Sequence, residues 1–430
     1  MVPDIFHREF TPSPYWWEAY TPTAGDLVEV PKSARVAIVG GGYAGLSTAL
    51  ELARHGIDAV VLEAKELGSG ASTRNGGAVS GGVNVGKSFT GRTFEIEPGR
   101  AEQMLSDASD AFALIDRLIS EEEIDCFWEK HGRFVGAWAK KHFAAQAQRL
   151  AMLNAAAQSG AYMVPRERQR EEIASDYYFG GMVVERSGKL HPALYYKGLL
   201  EACRRRGVAV CAKAAVERIE RASAEWRVET RRGNVSAGDV VIATNGYTGN
   251  LTPALKRRVV PLASHIIATE ELPEDLARSL IPKARTLSDT KRVLCYYRMS
   301  PDGRRMVFGG RARFTQVGPD GQRSDPAPLY DRSLPAIARG QSDPCLDRQR
   351  RLHSRRPAAY GPERRPSLLS RLQRQWGRDD DLSRLADGTQ DRPRSELRLQ
   401  LRYVGLPRPP ALFRQSLVSA GRRQLLPPAR

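Results

Sequence analysis

The feature that most constrains this chain is a strand, glycine loop, helix and strand pattern over residues 35–63, RVAIVGGGYAGLSTALELARHGIDAVVLE. The short β-branched run from Val36 to Val39 is typical of a parallel strand that is buried on both faces. A helical stretch, Leu46 to His55, follows the glycines, and a second buried strand, Ala59 to Leu62, leads directly to Glu63. This order predicts two parallel strands connected by a helix.

The glycines of this stretch, Gly40, Gly42 and Gly45, have the spacing of a dinucleotide-binding loop. Gly40 permits the tight turn, Gly42 lets the backbone approach a pyrophosphate, and Gly45 lets the helix pack closely on the strand. The N–H groups and the dipole at the helix start favour phosphates. Glu63 lies 21 residues after Gly42, close to the ~20 expected of an acid that binds ribose hydroxyls. Since a carboxylate disfavours a 2′-phosphate, the pattern predicts FAD or NAD; the alternative is a glycine-rich turn without a ligand.

A second glycine-rich segment, residues 68–77 (GSGASTRNGG), follows the acid and continues through Gly81 and Gly82. Glycine is costly inside both helices and sheets, so the segment is predicted to be irregular backbone laid against a flat ligand. Arg74 and Asn75 would offer a fixed cation and an amide to a phosphate or a ring edge. A mobile surface loop is the alternative, and the position directly after the acid argues against it.

These motifs together resemble the D-amino-acid-oxidase type of FAD-dependent oxidoreductases, and most of all the gamma-glutamylputrescine oxidoreductase branch. The resemblance covers about residues 10–325 and includes the aromatic cluster Tyr15, Trp16 and Trp17. It implies a non-covalently bound FAD, oxidation of a C–N bond in a small-molecule amine, and O2 or another electron acceptor. With O2 the product would be hydrogen peroxide. A sarcosine, glycine or amino-acid oxidase of the same fold remains an alternative, as does a damaged, non-catalytic product.

The resemblance also implies a set of cofactor-binding residues; we assign no catalytic residue, and no metal is expected. Val216 matches a position whose backbone faces the adenine, and the segment ATNGYT (243–248) ends a buried strand and returns the chain beside the dinucleotide. The predicted set is Gly40, Gly42, Tyr43, Ala44, Gly45, Glu63, Ala64, Ala71, Ser72, Arg74, Asn75, Gly76, Gly77, Val216, Ala243, Thr244, Asn245 and Gly246.

The predicted fold class is α/β, of the α+β two-domain kind, with a Rossmann-like FAD-binding domain and a second, antiparallel-sheet substrate domain. We expect an N-terminal arm packed on the surface (1–30), an oxidoreductase region (31–330) and an aberrant tail (331–430). Within the oxidoreductase region, the FAD-binding parts are about 31–90 and 190–250, and the substrate-domain parts are about 91–189 and 255–325.

Three finer predictions concern residues beside these motifs. His191 precedes a proline at a helix start and is predicted to be a neutral, structural histidine. Gly188 to Pro192 is predicted to be a turn. Tyr296, Tyr297 and Arg298 lie on a predicted strand of the substrate sheet; they could line the face over the flavin, but ordinary strand roles are favoured.

Composition fits a soluble, globular protein of two or three domains: 430 residues, 41% hydrophobic residues and a mean hydropathy of -0.44. No apolar run approaches the ~18 residues of a membrane span, and MVPDIFHREF at the N-terminus does not resemble a secretory signal. The cysteines are odd in number and form no CxxC, which argues against disulfides and zinc and favours a cytoplasmic location. They are Cys126, Cys203, Cys211, Cys295 and Cys345.

The net charge of +17 is concentrated in residues 331–430, which contain 22 Arg, no Lys and 10 acids. The body of the chain is nearly balanced, so neither a nucleic-acid nor a membrane partner is predicted for it; the oligomeric state is left open. The last hundred residues also contain 11 Pro, one Ile, two Val and no Met. That composition leans toward a disordered or poorly folded segment, because it lacks the β-branched residues of buried strands.

The same region lacks features that the family pattern requires: a Trp-Gly strand, an Asp-x-x-Pro turn and a glycine-rich loop before a last helix. Trp376 and Gly377 are followed by an acidic run instead, and no lysine follows Lys291. Our hypothesis is a frame-shifted reading of a GC-rich coding sequence, which would yield Arg, Pro, Ala, Leu and Ser. The rival is a genuine Arg-rich tail for nucleic acid or an anionic surface. The tail lacks the regular aromatic interleaving of proteins that bind single-stranded nucleic acid and any recognisable nucleic-acid module.

Overall fold

The computed structural model describes residues 13–81, 98–261, 263–291 and 294–313. Its strands are β1 (Ser33–Val39), β2 (Ala59–Leu62), β3 (Ala78–Ser80), β4 (Arg133–Gly136), β5 (Ala161–Val164), β6 (Gly181–Val184), β7 (Ser187–Lys189), β8 (Ala209–Cys211), β9 (Val216–Ala222), β10 (Glu225–Thr230), β11 (Gly233–Ile242), β12 (Ala263–Ala268), β13 (Thr286–Asp289), β14 (Tyr296–Met299) and β15 (Met306–Arg313). Its α-helices are α1 (Tyr43–Arg54), α2 (Pro98–Glu121), α3 (Lys140–Ala157), α4 (Pro192–Arg205), α5 (Pro253–Lys256) and α6 (Glu274–Leu280).

A six-stranded sheet contains the strands of the opening motif, in the order β8, β2, β1, β11, β10, β9. The first four strands are parallel, and β10 pairs antiparallel with both β11 and β9. Val39 lies opposite Leu62 on one side and Ile242 on the other. The carboxyl ends of β1, β2 and β11 therefore meet at one edge of the sheet, the usual place for a ligand in an open α/β fold.

Helices α1 and α4 pack together on this sheet. Leu46 and Leu50 of α1 are fully buried, as their helical spacing predicts. Pro192 opens α4 at the position where proline is favoured, and His191 Nδ1 accepts a hydrogen bond from the Leu194 N–H at 3.2 Å. Burial, with a smaller contribution from the cation of Arg298, lowers the pKa of His191 to about 4, so the ring is neutral. The structural role predicted for this histidine is confirmed.

A seven-stranded sheet forms the second layer, in the order β12, β15, β14, β13, β4, β6, β5. The α/β fold class is confirmed, and all neighbours in this sheet are antiparallel except β13 and β4, which run parallel. This pair joins segments that are distant in sequence, and no hairpin imposes an antiparallel direction on them.

The predicted turn from Gly188 to Pro192 is wrong at its start, where β7 pairs antiparallel with β3. The strand conformation of β7 depends on β3, which lies about a hundred residues earlier in the chain. The N-terminal arm is also packed more deeply than predicted: Trp16 is 2% exposed and packs with Ala193 of α4 and Val307 of β15. The arm therefore contacts elements of both sheets.

In the described part of the chain, no helix has both the length and the apolar character required to cross a membrane. The predicted tail at 331–430 and Gly82 of the second glycine-rich segment lie outside the described residues.

Candidate functional site

At two positions of the glycine loop after β1, any residue larger than glycine would clash with the backbone. Gly40 has a φ of +107°, and a Cβ there would lie 2.7 Å from the Ala243 carbonyl oxygen. A Cβ on Gly45 would lie 1.9 Å from the Gly40 carbonyl oxygen. Gly42 is the N-cap of α1 and makes no side-chain cap; a Cβ there would approach Ser72 Oγ at 3.0 Å. Gly42 therefore places no side chain over the start of α1, which leaves space for a phosphate to approach the helix N-terminus.

Glu63 reaches this loop from the end of β2. Its Oε2 accepts a hydrogen bond from the Gly41 N–H at 2.9 Å, and its Oε1 accepts one from the Lys65 N–H at 3.0 Å. The residue is half-buried, and Ala64 beside it is exposed. Each carboxylate oxygen retains accepting capacity, so a sugar hydroxyl at this edge can still be bound.

Val216 is brought to the same neighbourhood by the chain that follows β8. The Ala214 N–H donates to the Glu63 carbonyl oxygen at 2.7 Å, and Val216 opens β9 two residues later. The adjacency of Val216 to the acid could not be read from spacing, because more than 150 residues separate them in sequence.

The second glycine-rich segment, residues 68–77, lies against the start of α1. Ser72 Oγ accepts a hydrogen bond from the Tyr43 N–H at 3.0 Å. Asn75 Oδ1 accepts from the Gly77 N–H at 2.8 Å, and Asn75 Nδ2 donates to the Ser72 carbonyl oxygen at 2.9 Å. Both ends of the Asn75 amide are thus used inside the segment, where they shape the backbone. Ala71 precedes Ser72 in a 3-10 turn and is exposed.

Arg74 joins this segment to residues 243–248. Its Nε donates to the Gly70 carbonyl oxygen at 3.1 Å, and its Nη2 donates to Tyr247 Oη at 3.1 Å. The guanidinium also lies 5.9 Å from the ring centre of Trp17 in the N-terminal arm. Arg74 is exposed, and these three contacts hold its guanidinium in place, as expected of the fixed cation predicted here.

Residues 243–246 continue from the end of β11 beside the glycine loop. The Ala243 N–H donates to the Val39 carbonyl oxygen at 2.8 Å, which extends the pairing of β11 with β1. Thr244 and Gly246 are half-buried. Asn245 has a φ of +47°, a left-handed conformation that asparagine tolerates better than most residues. The structure thus brings the stretches predicted from sequence to one edge of the six-stranded sheet.

Two tyrosines connect α4 to this edge: Tyr196, which sequence reasoning missed, and Tyr43, which was predicted as a cofactor-binding residue. Tyr196 Oη donates to the Gly41 carbonyl oxygen at 2.8 Å, and Tyr43 Oη donates to the Pro192 carbonyl oxygen at 2.8 Å. Burial raises the pKa of both hydroxyls, so they stay protonated donors. Helical spacing places Tyr196 on the buried face of α4, but no sequence signal indicates which loop it contacts.

Strand β14 faces the glycine-rich segment with alternate side chains, as strand geometry requires. A Cβ on Gly76 would lie 3.0 Å from the Tyr296 ring, and a Cβ on Gly77 would lie 2.8 Å from Arg298 Nη1. Tyr297 points the other way, and its Oη lies 3.0 Å from that of Tyr178 in a buried cluster. The ordinary strand role favoured for all three residues therefore holds for Tyr297, while Tyr296 and Arg298 contact the segment.

A sheet whose parallel strands end at a glycine loop, an acid and an irregular glycine-rich segment defines a dinucleotide-binding fold. Residues 35–384 match the model of the FAD dependent oxidoreductase family (DAO). This match covers most of the chain, which therefore belongs to that family, and the family's cofactor is FAD. The match also extends beyond residue 331, into the range predicted to be aberrant.

Relatives and solved structures agree with this assignment. The chain is 33% identical over 313 residues to gamma-glutamylputrescine oxidoreductase of Escherichia coli (strain K12), which covers 73% of this chain and 72% of that protein. It is 32% identical over 321 residues to the probable oxidoreductase OrdL of Rhizobium meliloti (strain 1021), which covers 72% of each chain.

Two solved structures share the fold at low sequence identity. Glycine oxidase from Geobacillus kaustophilus superimposes with a TM-score of 0.53 at 20% identity, over 69% of this chain and 78% of that one. L-Proline dehydrogenase from P. horikoshii superimposes with a TM-score of 0.55 at 16% identity, over 74% of this chain and 79% of that one. At Gly40 and Gly45 the structure has no space for a Cβ. These two positions, where only glycine fits, are the feature of this chain that fits a bound FAD.

Proposed function

We propose that the chain oxidises the C–N bond of a small amine similar to gamma-glutamylputrescine, with FAD as cofactor and O2 as final acceptor. The observation that carries the proposal is the convergence of the glycine loop, Glu63 and residues 71–77 at one sheet edge. The 33% identity to the E. coli gamma-glutamylputrescine oxidoreductase supports the substrate class. When it is bound, FAD supplies the hydride acceptor, because protein side chains cannot accept a hydride.

In this proposal each predicted stretch would hold one part of the cofactor. Gly40, Gly42, Tyr43, Ala44 and Gly45 at the start of α1 would hold the pyrophosphate. Glu63, beside Ala64, would bind the ribose, and Val216 would face the adenine. The remaining backbone follows the cofactor toward its ring, through Ala71, Ser72, Arg74, Asn75, Gly76 and Gly77 on one side and Ala243, Thr244, Asn245 and Gly246 on the other.

The chain's own contribution to the reaction is positioning and exclusion of water. A neutral amine that loses hydride from its α-carbon becomes an iminium cation, and water hydrolyses this cation to an aldehyde and a protonated amine. We assign no general base, because the unprotonated amine can react without one. Tyr296, whose Oη lies 2.8 Å from Ser264 Oγ, closes the seven-stranded sheet over Gly76. Burial raises the pKa of Tyr296, so its hydroxyl stays protonated.

The visible spectrum of the purified protein tests the proposal. Bound flavin absorbs at roughly 450 nm, a property of the cofactor itself. We expect this band, and we expect gamma-glutamylputrescine to bleach it without oxygen while sarcosine does not. Bleaching by sarcosine or glycine alone would indicate an amino-acid or sarcosine-type oxidase instead. A colourless protein that does not take up added FAD would indicate a non-catalytic product.

A pair of glycine variants tests where FAD binds. Gly42→Ala should weaken FAD binding at least roughly tenfold, because its methyl group occupies the approach of the pyrophosphate. Gly99→Ala is the control, since a Cβ there meets no atom within 4 Å. Equal FAD affinity of the two variants would place the cofactor elsewhere.

We also propose a cytoplasmic, reducing location. The described residues contain four cysteines, Cys126, Cys203, Cys211 and Cys295, which are all buried and unpaired. Burial raises the pKa of each thiol, as expected of inert, structural cysteines.

A further inference from the structure

Arg298 on β14 is a buried cation with an unused hydrogen-bond donor. The residue is 2% exposed. Its Nη1 donates to the Leu190 carbonyl oxygen at 2.7 Å and to that of Gly77 at 3.2 Å, while Nε donates to the Met299 carbonyl oxygen at 3.1 Å. Its Nη2 has no hydrogen-bond partner among the described residues. Because a buried polar group without a partner is costly, an acceptor is expected at this position.

The surroundings of Arg298 also leave its charge without a counter-ion in the described part of the chain. Glu129, the carboxylate in its neighbourhood, forms an ion pair with Lys189 at 2.9 Å. His191 is neutral, and Tyr15 is held protonated because burial raises its pKa. Burial lowers the pKa of Arg298 to about 10, so the guanidinium still carries its charge at neutral pH. Buried charges in proteins are normally paired.

The guanidinium is fixed between the glycine-rich segment and the N-terminal arm. On one side it binds the carbonyl oxygen of Gly77, whose φ of +65° turns the backbone at this point. On the other side it lies 5.5 Å from the ring centre of Trp16. A fixed positive charge therefore lies within hydrogen-bond distance of the Gly77 backbone.

We propose that Arg298 stabilises the negative charge that bound FAD acquires when it is reduced, an inference that rests on the proposed function. Hydride transfer removes two electrons and one proton from a neutral amine, which becomes an iminium cation, and it leaves one additional negative charge on the flavin. That charge would be discharged when two electrons and one proton from the reduced cofactor, together with a second proton from water, pass to O2 and form hydrogen peroxide. A preorganised cation in a site shielded from water stabilises such a charge far more than it could in water.

The test compares two variants that separate charge from packing. Arg298→Gln keeps an amide donor near the position of Nε, which donates to the Met299 carbonyl oxygen, but removes the charge. Arg298→Lys keeps the charge. Arg133→Gln is the control, because Arg133 is another buried arginine of the same sheet, and its Nε donates to Ser288 Oγ at 3.1 Å. The measured quantities are the dissociation constant for FAD, the two-electron potential of bound FAD, and KM for the amine.

We expect Arg298→Gln to weaken the preference for reduced over oxidised FAD at least roughly tenfold, which is about 30 mV for a two-electron couple. Arg298→Lys and Arg133→Gln should change the potential much less. Equal shifts in the Gln and Lys variants of Arg298 would mean that packing matters and would overturn the proposal. A rise in KM without a change in potential would also overturn it, because Arg298 would then bind the substrate.

Sulfite gives a second test on the unaltered protein, should the variants fail to fold. Sulfite adds to oxidised flavin and leaves an extra negative charge on it, so we expect the protein to bind sulfite more tightly than unbound FAD does. Binding that is equal or weaker would contradict the role of Arg298. A protein that does not bind flavin would contradict the proposed function. A protein that binds FAD but shows none of these effects would contradict only the role proposed for Arg298.

Discussion

The Glu63 carboxylate accepts a hydrogen bond from the Gly41 N–H at 2.9 Å, which fastens the end of β2 to the glycine loop after β1. The acid therefore has two roles in the proposed site. It holds the loop in shape, and it presents its remaining lone pairs to a ribose hydroxyl. A residue chosen from spacing alone as a ligand contact is also part of the scaffold that forms the binding loop.

Glu63→Gln should weaken FAD binding roughly tenfold while changing the free energy of unfolding by about 1 kcal/mol or less. The amide keeps one acceptor for the Gly41 N–H but loses the charge and the second acceptor that sugar hydroxyls use. Fluorescence titration with FAD measures the first effect, and urea unfolding measures the second. Glu66→Gln is the control, since Glu66 pairs with Lys213 at 3.5 Å on the surface. Unchanged FAD affinity in Glu63→Gln would remove this residue from the site.

Tyr196→Phe should destabilise the fold by about 1–2 kcal/mol, because the buried Gly41 carbonyl oxygen loses its hydrogen-bond donor. FAD affinity should fall with it, since the loop is no longer held from α4. Tyr195→Phe is the control, because Tyr195 is the neighbouring tyrosine of α4. Its ring contacts the Tyr43 ring at a centroid distance of 5.3 Å, and the substitution keeps this ring contact. If both variants unfold at the same urea concentration, the bond to Gly41 contributes nothing measurable.

Gly77→Ala should be markedly more destabilising than Gly56→Ala. Both glycines have positive φ, +65° and +67°, so the backbone strain of the two substitutions is similar. A Cβ at Gly77 would lie 2.2 Å from the Leu190 carbonyl oxygen, whereas one at Gly56 meets no atom within 4 Å. We expect a difference of about 1–3 kcal/mol in the free energy of unfolding, the usual cost of overpacking. Similar values for the two variants would show that the contact with Leu190 relaxes freely.

The ion pairs of the buried Glu122 should make the stability of the protein depend on pH. The Glu122 side chain is 2% exposed and binds Arg54 and Arg206, both at 2.5 Å, at the ends of α1 and α4. Burial alone would raise the pKa of Glu122, but the hydrogen bonds and charges of these arginines lower it. The depressed pKa means that the stabilisation is present above the carboxyl's ordinary range and is lost as the pH falls through its folded value.

Glu122→Gln should therefore cost about 3 kcal/mol at pH near 7, as expected when one partner of a buried ion pair is removed. The difference from the unaltered protein should shrink as the pH falls below the ordinary range of a carboxyl group. Glu121→Gln is the control, because Glu121 is 47% exposed although it also pairs with Arg54. Exposed pairs of this kind are worth about 1 kcal/mol at most. A pH-independent difference for Glu122→Gln would exclude the ionic contribution.

The coding DNA provides a prediction about residues 331–430. If this range is frame-shifted, another reading frame downstream of codons 320–340 should encode an Asp-x-x-Pro turn and a glycine-rich closing segment. Resequencing the gene and translating all frames measures this directly. The family match to residue 384 indicates that family-like sequence persists beyond residue 331. If no other frame contains these features, the frame-shift hypothesis is wrong.

Local patterns determined the part of the site that is close in sequence. The βαβ order, the glycines of the loop and Glu63 could be predicted because a buried strand, a tight turn and a helix start each constrain neighbouring residues. The structural role of His191 was predictable for the same reason, since a residue before a helix-opening proline lies at an N-cap, whereas its neutral charge results from burial. These constraints act over a few residues and leave a readable pattern.

Contacts between distant segments were decided only by the tertiary structure. The bond from Tyr196 to Gly41, the burial of Trp16 and the position of Arg298 behind Gly77 each join residues more than 100 positions apart. β7 was predicted to be a turn because its partner, β3, lies about a hundred residues earlier in the chain. The physical reason is that alternation along β14 shows which side chains share a face, whereas the packing of the two sheets decides what that face contacts.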